Sequence, residues 1–124
     1  MVARLISLGA LLVVGMASAQ EPRPNYLTHE QLKALISGTT TIQIASGRMR
    51  VIGIYTQDGI ARLDGGNWAA KGTWRIDSNK FCTKYPGIRR GYETCYNLVN
   101  TGENAYSLYF AEDGALNSTW VIEK

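Results

Sequence analysis

The stretch FCTKYPGIRRGYETCY (residues 81–96) contains both cysteines of the chain and reads as a single β-hairpin. If Cys82 faces Cys95 across an antiparallel pair, partner numbers sum to 177. Phe81 then meets Tyr96, Thr83 meets Thr94, Lys84 meets Glu93 and Tyr85 meets Tyr92. Rings, hydroxyls and opposite charges fall together, and each kind of cross-strand pair is favourable. A slip of one residue spoils most of them. The same register puts Cys82, Lys84, Glu93 and Cys95 on one face. Phe81, Thr83, Tyr85, Tyr92, Thr94 and Tyr96 line the other, which is expected to face inward. At the tip, Ile88, Arg89 and Arg90 are expected to project into water. They form either a candidate contact loop for a partner or a solvated hairpin end.

A disulfide is the expected state of Cys82 and Cys95, because the chain begins with an export signal. Arg4 supplies a positive n-region, residues 5–16 an apolar stretch, and Ala17-Ser18-Ala19 a small-residue cleavage site. The apolar run is shorter than the roughly 20 residues needed to span a bilayer, so no transmembrane span is expected. Free thiols or half a metal site are the alternatives. With one histidine in the chain and no further cysteine, no zinc shell can be assembled, and no metal or cofactor is expected. Closing this loop of about a dozen residues contributes roughly 3 kcal/mol in the chain-entropy model. The spacing is not that of a Cys-x-x-Cys redox pair, so the bond is expected to be structural.

Cleavage after Ala19 leaves 105 of the 124 residues: a flexible leader (20–26) and one domain (27–124). Without Arg4 the 13 basic residues become 12, against 10 acidic. They are spread along the chain rather than gathered in a stripe, so no nucleic-acid partner is expected, and a monomer is.

The domain opens with LTHEQLKALISG (residues 27–38). Thr28 fits an N-cap, Gln31 its capping-box partner, Leu27 and Leu32 the staple, and Gly38 the left-handed stop. Beyond Gly38, β-branched and aromatic residues alternate with turn residues about every ten positions. Candidate strands are 40–45, 48–56, 60–64, 68–76, 80–85, 92–98, 105–111 and 116–122, joined by short connectors such as Ser46-Gly47 and the stretch 100–104. Connectors this short do not hold parallel crossovers, so successive strands pair antiparallel. An eight-strand meander avoids exposed edges by curling or closing. The expected fold is mainly β, a strongly bent sheet or small up-and-down barrel, with the single short helix covering an end or an edge. Arg48, Arg50 and Arg62 read as a solvated or edge-protecting face, with Ile54 opposite Arg62.

GGNWAAKGTWRID (residues 65–77) carries two Gly-x-Trp units. Alternation puts Trp68, Ala70, Gly72, Trp74 and Ile76 on one side, taken as inner, with Gly72 leaving room for a neighbouring ring or strand. Trp120 can reach the same interior. The rings either fill the core or, with Tyr85 and Tyr96, line a cup for an apolar ligand. A domain of this size has little interior to spare, which favours packing.

Gly72-Thr73-Trp74 on an antiparallel strand resembles the Gly-x-Trp of the calycin group, which includes lipocalins and small periplasmic inhibitors built as eight-stranded barrels with one disulfide. Lipocalins carry that motif on their first strand; here it lies near the fourth. The order Gly38, Tyr55 to Gly59, Gly72-Thr73-Trp74, Cys82, Cys95-Tyr96, Asp113-Gly114 is also similar to a family of small exported bacterial proteins of unknown function. The resemblance implies a small calycin-like barrel and no particular activity.

Catalytic signals are sparse. His29 is expected to be exposed in the first helical turn, with no nucleophile or orienting acid marked near it. Asp58 and Asp113 are explained as turn residues. The Asn-Ser-Thr at Asn117 falls in a strand. The chain therefore reads as an exported, periplasmic or secreted non-enzyme: a binding module for a small apolar ligand (candidates Trp68, Trp74, Tyr85, Tyr96, Trp120) or for a protein partner. The alternative is an inhibitor or accessory protein acting through Ile88, Arg89 and Arg90. A carboxylate-dependent hydrolase is the third and weakest reading.

Overall fold

A computed structural model describes residues 25–45 and 48–123. The expected export signal, most of the expected leader and the Ser46-Gly47 connector lie outside the described residues. One helix, α1 (His29–Ile36), precedes eight strands: β1 (Thr39–Ala45), β2 (Arg50–Tyr55), β3 (Ile60–Asp64), β4 (Ala69–Asp77), β5 (Lys80–Lys84), β6 (Thr94–Gly102), β7 (Ala105–Phe110) and β8 (Leu116–Glu123). Every strand pairs antiparallel with the next, and β8 returns to β1, so the meander closes into a barrel. Closure leaves no edge to protect. Arg48, Arg50 and Arg62 are exposed, with Ile54 paired to Arg62 as expected.

The helix starts where its sequence says. Thr28 Oγ1 accepts from the Gln31 N–H, and the Gln31 side chain accepts in return from the Thr28 N–H at 2.9 Å. Gly38 ends it at φ 75°, a left-handed conformation that glycine adopts without steric penalty. Leu32 and Ile36 are fully buried and join Tyr55, Phe81, Leu98, Trp120 and Ile122 in one cluster. An eight-residue helix does not persist alone; this one is held as a plug in the barrel end that receives the β4–β5 turn. His29 takes part in that docking rather than standing in solvent. It is half-buried, its N–H donates to Asn79 Oδ1 at 2.7 Å, and its Nδ1 lies 2.8 Å from the Ser78 carbonyl. At the end of the leader, Tyr26 bridges to Val99 of β6.

The hairpin register holds where it matters: Phe81 pairs with Tyr96, Cys82 with Cys95 and Thr83 with Thr94. The disulfide forms between Cα atoms 4.0 Å apart, the close approach found in non-hydrogen-bonded antiparallel pairs. The ladder then stops, and two expected pairs are not made. Glu93 takes a bidentate pair with Arg75 of β4 instead of Lys84, with contacts of 2.8 and 2.7 Å. A guanidinium fork matches a carboxylate in a way that an ammonium does not. Tyr92, expected inside, is 69% exposed, because the strands splay apart to accommodate the tip. At the far end of β6 the ladder runs further than expected, to Gly102, so only Glu103 and Asn104 turn into β7.

Two glycines let the barrel fill with aromatic rings. A Cβ on Gly72 would strike the carbonyl oxygen of Lys84 and approach the Tyr85 ring to 2.8 Å, so the expected close approach at this position is borne out. A Cβ on Gly53 would collide with Gln43 and Thr41 and lie 2.9 Å from the Tyr55 hydroxyl. Substituting Gly72→Ala is expected to destabilise the oxidised protein by about 1–3 kcal/mol through overpacking. That lowers Tm by about 4–8 °C per kcal/mol for a domain of this size. Gly102→Ala, where the nearest atom is 3.7 Å away, is expected to stay within about 0.5 kcal/mol. Thermal unfolding followed by circular dichroism compares the two.

Candidate functional site

The helix plugs one end of the barrel; the other end is a cup. Strand direction puts Ala45, Arg50, Asp64, Ala69, Lys84, Thr94, Phe110 and Leu116 at the open end. The cavity there has a volume of about 210 Å³. Tyr55, Phe81 and Trp120 form its floor, Gln43, Thr83, Thr94, Tyr96 and Asn117 its walls, and Met49, Trp68, Ile88, Arg89 and Tyr92 its rim.

The floor is a stack of rings. Tyr55 and Trp120 lie nearly parallel with centroids 5.5 Å apart, and Phe81 meets both edge-on at 5.3 and 5.4 Å. These are the offset and T-shaped geometries that the ring quadrupole favours. Tyr55 reaches this position from the plugged end of β2 because Gly53, two residues before it on the same face, leaves space for its hydroxyl. That hydroxyl accepts from Gln43 Nε2 at 2.6 Å, and the same amide nitrogen donates to Thr41 Oγ1 at 2.9 Å. Two donors on the lining residues lack a partner of full hydrogen-bonding geometry among the described residues: the Tyr85 hydroxyl, which neighbours that of Tyr55, and the Trp120 indole N–H, both buried. An unmet buried donor costs about 1–3 kcal/mol, so each is a feature that asks for an explanation.

The rim is made by the hairpin tip and the β3–β4 loop. Ile88, expected in water, packs against the core cluster. The tip folds back through a 3₁₀ turn, Arg89–Gly91, and Arg89 and Arg90 adopt left-handed backbone at φ 51° and 57°. Both arginines are exposed, as expected. The Arg89 guanidinium lies over the Phe110 ring, 5.1 Å from its centroid. Across the rim, Trp68 precedes β4 and is 37% exposed. Its ring lies where a Cβ on Gly65 would be.

The two Gly-x-Trp units therefore serve opposite ends of one strand. Trp68 stands at the mouth of the cup. Trp74 lies in the plugged half, its indole N–H donating to the Thr56 carbonyl at 2.9 Å and its ring 6.4 Å from that of Tyr55; it does not line the cavity. Of the five expected pocket residues, Trp68, Tyr85, Tyr96 and Trp120 come together around one space and Trp74 supports them from below. Tyr55, Gln43, Phe81 and Thr83 were not among those candidates. The signal for Gln43 lies in TTTIQIA (residues 39–45): Thr39, Thr41 and Gln43 point inward, while Ile42 and Ile44 point out and Ile44 is 40% exposed. That is the reverse of the usual alternation.

Burial keeps the phenols of the interior neutral. It pushes the ionisation of Tyr55, Tyr85 and Tyr96 above the ordinary tyrosine range, and the neighbouring phenols Tyr85 and Tyr96 push Tyr55 further in the same direction. Folding therefore favours their neutral O–H form. No protein-family model, curated protein or solved structure matches the chain.

Because the folded values lie above those of the unfolded chain, the associated stability is complete below pH ~10 and is lost as pH rises beyond it, by up to about 1.4 kcal/mol per pH unit for each phenol. Urea unfolding between pH 8 and 11.5 is expected to give a flat profile and then a steep fall. Replacing Tyr96 with Phe should make the fall shallower by one group.

Proposed function

We propose that the protein is a small-ligand-binding module and that the open end of the barrel is its binding cup. The observation that carries this reading is a cavity of about 210 Å³ with two buried, unpartnered donors on its lining residues. A core that existed only to be filled would satisfy such groups or replace them with apolar ones. The eight-stranded closed meander is also what the calycin resemblance implies, and it supports that comparison at the level of architecture. Binding is preferred over catalysis because the lining holds no carboxylate and no imidazole to move a proton. The volume lies below the ~300–1,000 Å³ of pockets for drug-sized ligands, so the occupant is small. The same number turns the reading away from long-chain lipids.

The test is a titration of the oxidised mature protein with naphthalene and with a long-chain fatty acid, read by tryptophan fluorescence and by thermal shift. Naphthalene is expected to give a saturable change and, at a hundredfold excess over Kd, about 2.7 kcal/mol of stabilisation. The fatty acid is expected to give neither. Ala45→Phe, which places a ring in the cavity from β1, should abolish the response while the variant still unfolds cooperatively. If naphthalene produces no change in a protein whose Trp68 emission remains quenchable from solvent, the cup is not a binding site.

A further inference from the structure

The outer surface of the barrel changes character across the closing seam. On β4 the outward side chains include Lys71, Arg75 and Asp77, all exposed. On β8, β1 and β2 they include Val121, Ile42, Ile44, Ile52 and Ile54; Val121 is 48% exposed, and Ile44 and Ile54 are each 40% exposed. Strands β8 and β2 carry apolar residues on both faces, while β1 turns its isoleucines out and Thr41 and Gln43 in. Apolar side chains on both faces are the pattern of strands that are covered on both sides. These outward residues stand in register. One row across the sheet reads Val121, Ile42, Ile52, Asp64 and Ala69; the next reads Glu123, Thr40, Ile54, Arg62 and Lys71. The second row is acidic at its β8 end and basic at its β3–β4 end. Arg62 and Lys71 lie directly opposite one another, a like-charge pairing that costs stability in an isolated barrel. Neither has an ion-pair partner among the described residues, where the ion pairs belong to Arg75. The first row projects at Val121 and falls into a hollow beside Ile52, Asp64 and Ala69, where Asp64 turns its carboxylate to the Gly66 N–H.

We infer that this face is the contact surface of a homodimer, with a two-fold axis running along the strands between β1 and β2. Such an axis lays each row on its own reverse. Glu123 of one copy then meets Arg62 and Lys71 of the other, Val121 enters the hollow, and Ile42 packs across the centre on Ile52. A two-fold contact requires a patch that is complementary to itself, and here charge and shape are both distributed in that sense. Four strands about 4.8 Å apart and three outward rows make a face of roughly 400 Å². That is half of the ~800 Å² per partner in a standard interface, so the dimer is a weak one. A lipid surface fits less well. The apolar band of a membrane barrel runs right round it, whereas this one ends at Arg62 and Lys71. The cup opens at the end of the barrel and the contact lies on its side, so ligand binding and pairing are separate properties.

Sedimentation velocity of the oxidised mature protein between about 1 µM and 1 mM tests the pairing, with dimer expected to grow in across the range that weak interfaces occupy. Val121→Arg should abolish it. Glu123→Lys and Arg62→Glu each set like charges against one another twice per dimer, and each should weaken association about tenfold or more. Mixing those two variants is the decisive arm. A heterodimer of them restores opposite charges at both contacts, so it should form at concentrations where neither variant pairs with itself. Arg62→Glu also replaces the like-charge pair with Lys71 by an opposite one, so its Tm at low concentration should not fall; together with recovery in the mixture, this shows that the barrel is intact. A chain that stays monomeric to the top of the concentration range overturns the inference, whatever else the face then binds. So does a dimer indifferent to Val121→Arg, or a mixture that associates no better than its components.

Discussion

Six backbone pairs between β1 and β8, from Thr40 with Glu123 to Ala45 with Ser118, turn a meander into a closed barrel. Everything else depends on that seam. With it made, each strand has a neighbour on both sides and no row of unpaired N–H and C=O groups faces solvent. Closure also sets the interior: eight strands enclose a space that side chains nearly fill. The seam places Gln43 directly beside Trp120, so the polar wall and the aromatic floor of the cup meet across it. The disulfide lies elsewhere, between β5 and β6, and complements the seam by restricting the unfolded chain rather than by holding the barrel shut.

Inside the barrel, filling and opening divide the space by height. The lower half is close packing: Leu32 and Ile36 from the helix, with Tyr55, Trp74 and Phe81 arranged around them. The upper half keeps a cavity because its walls are short and polar, from Gln43 on β1 through Thr83 and Thr94 to Asn117 on β8. Two glycines govern the boundary. Gly53 frees the Tyr55 hydroxyl to meet Gln43, and Gly72 admits the Tyr85 ring. Core packing and cup are thus successive layers of one interior, and the same residue type, tryptophan, serves in each.

The elements were legible in advance because their signals are local. The capping box at Thr28 and Gln31, the left-handed stop at Gly38 and the turns that separate the strands act within a few residues, and the structure places them within a residue or two of expectation, apart from the end of β6, which runs four residues further. The Cys82–Cys95 register was legible for a related reason, since one covalent bond fixes the pair on either side of it. What failed lies at the hairpin tip and at the strand ends. Lys84 lost Glu93 to Arg75, a competitor from β4 that no reading of the hairpin alone contains. Tyr92 left the interior and Ile88 entered it because the tip folds back over the mouth, and that path depends on the space beneath it.

By itself, then, the sequence determined an all-antiparallel meander of eight strands, a capped helix and a disulfide-closed hairpin with its inner aromatic face. These follow from backbone propensity, side-chain alternation and a fixed covalent link, which are properties of neighbours in the chain. Only the tertiary structure decided that the meander closes, that the helix is a plug, that Trp68 guards a mouth while Trp74 sits in the core, and that Tyr85 and Trp120 are left as donors without acceptors. Those outcomes depend on volume shared among strands far apart in sequence, and a cavity is set by what eight strands together leave unfilled.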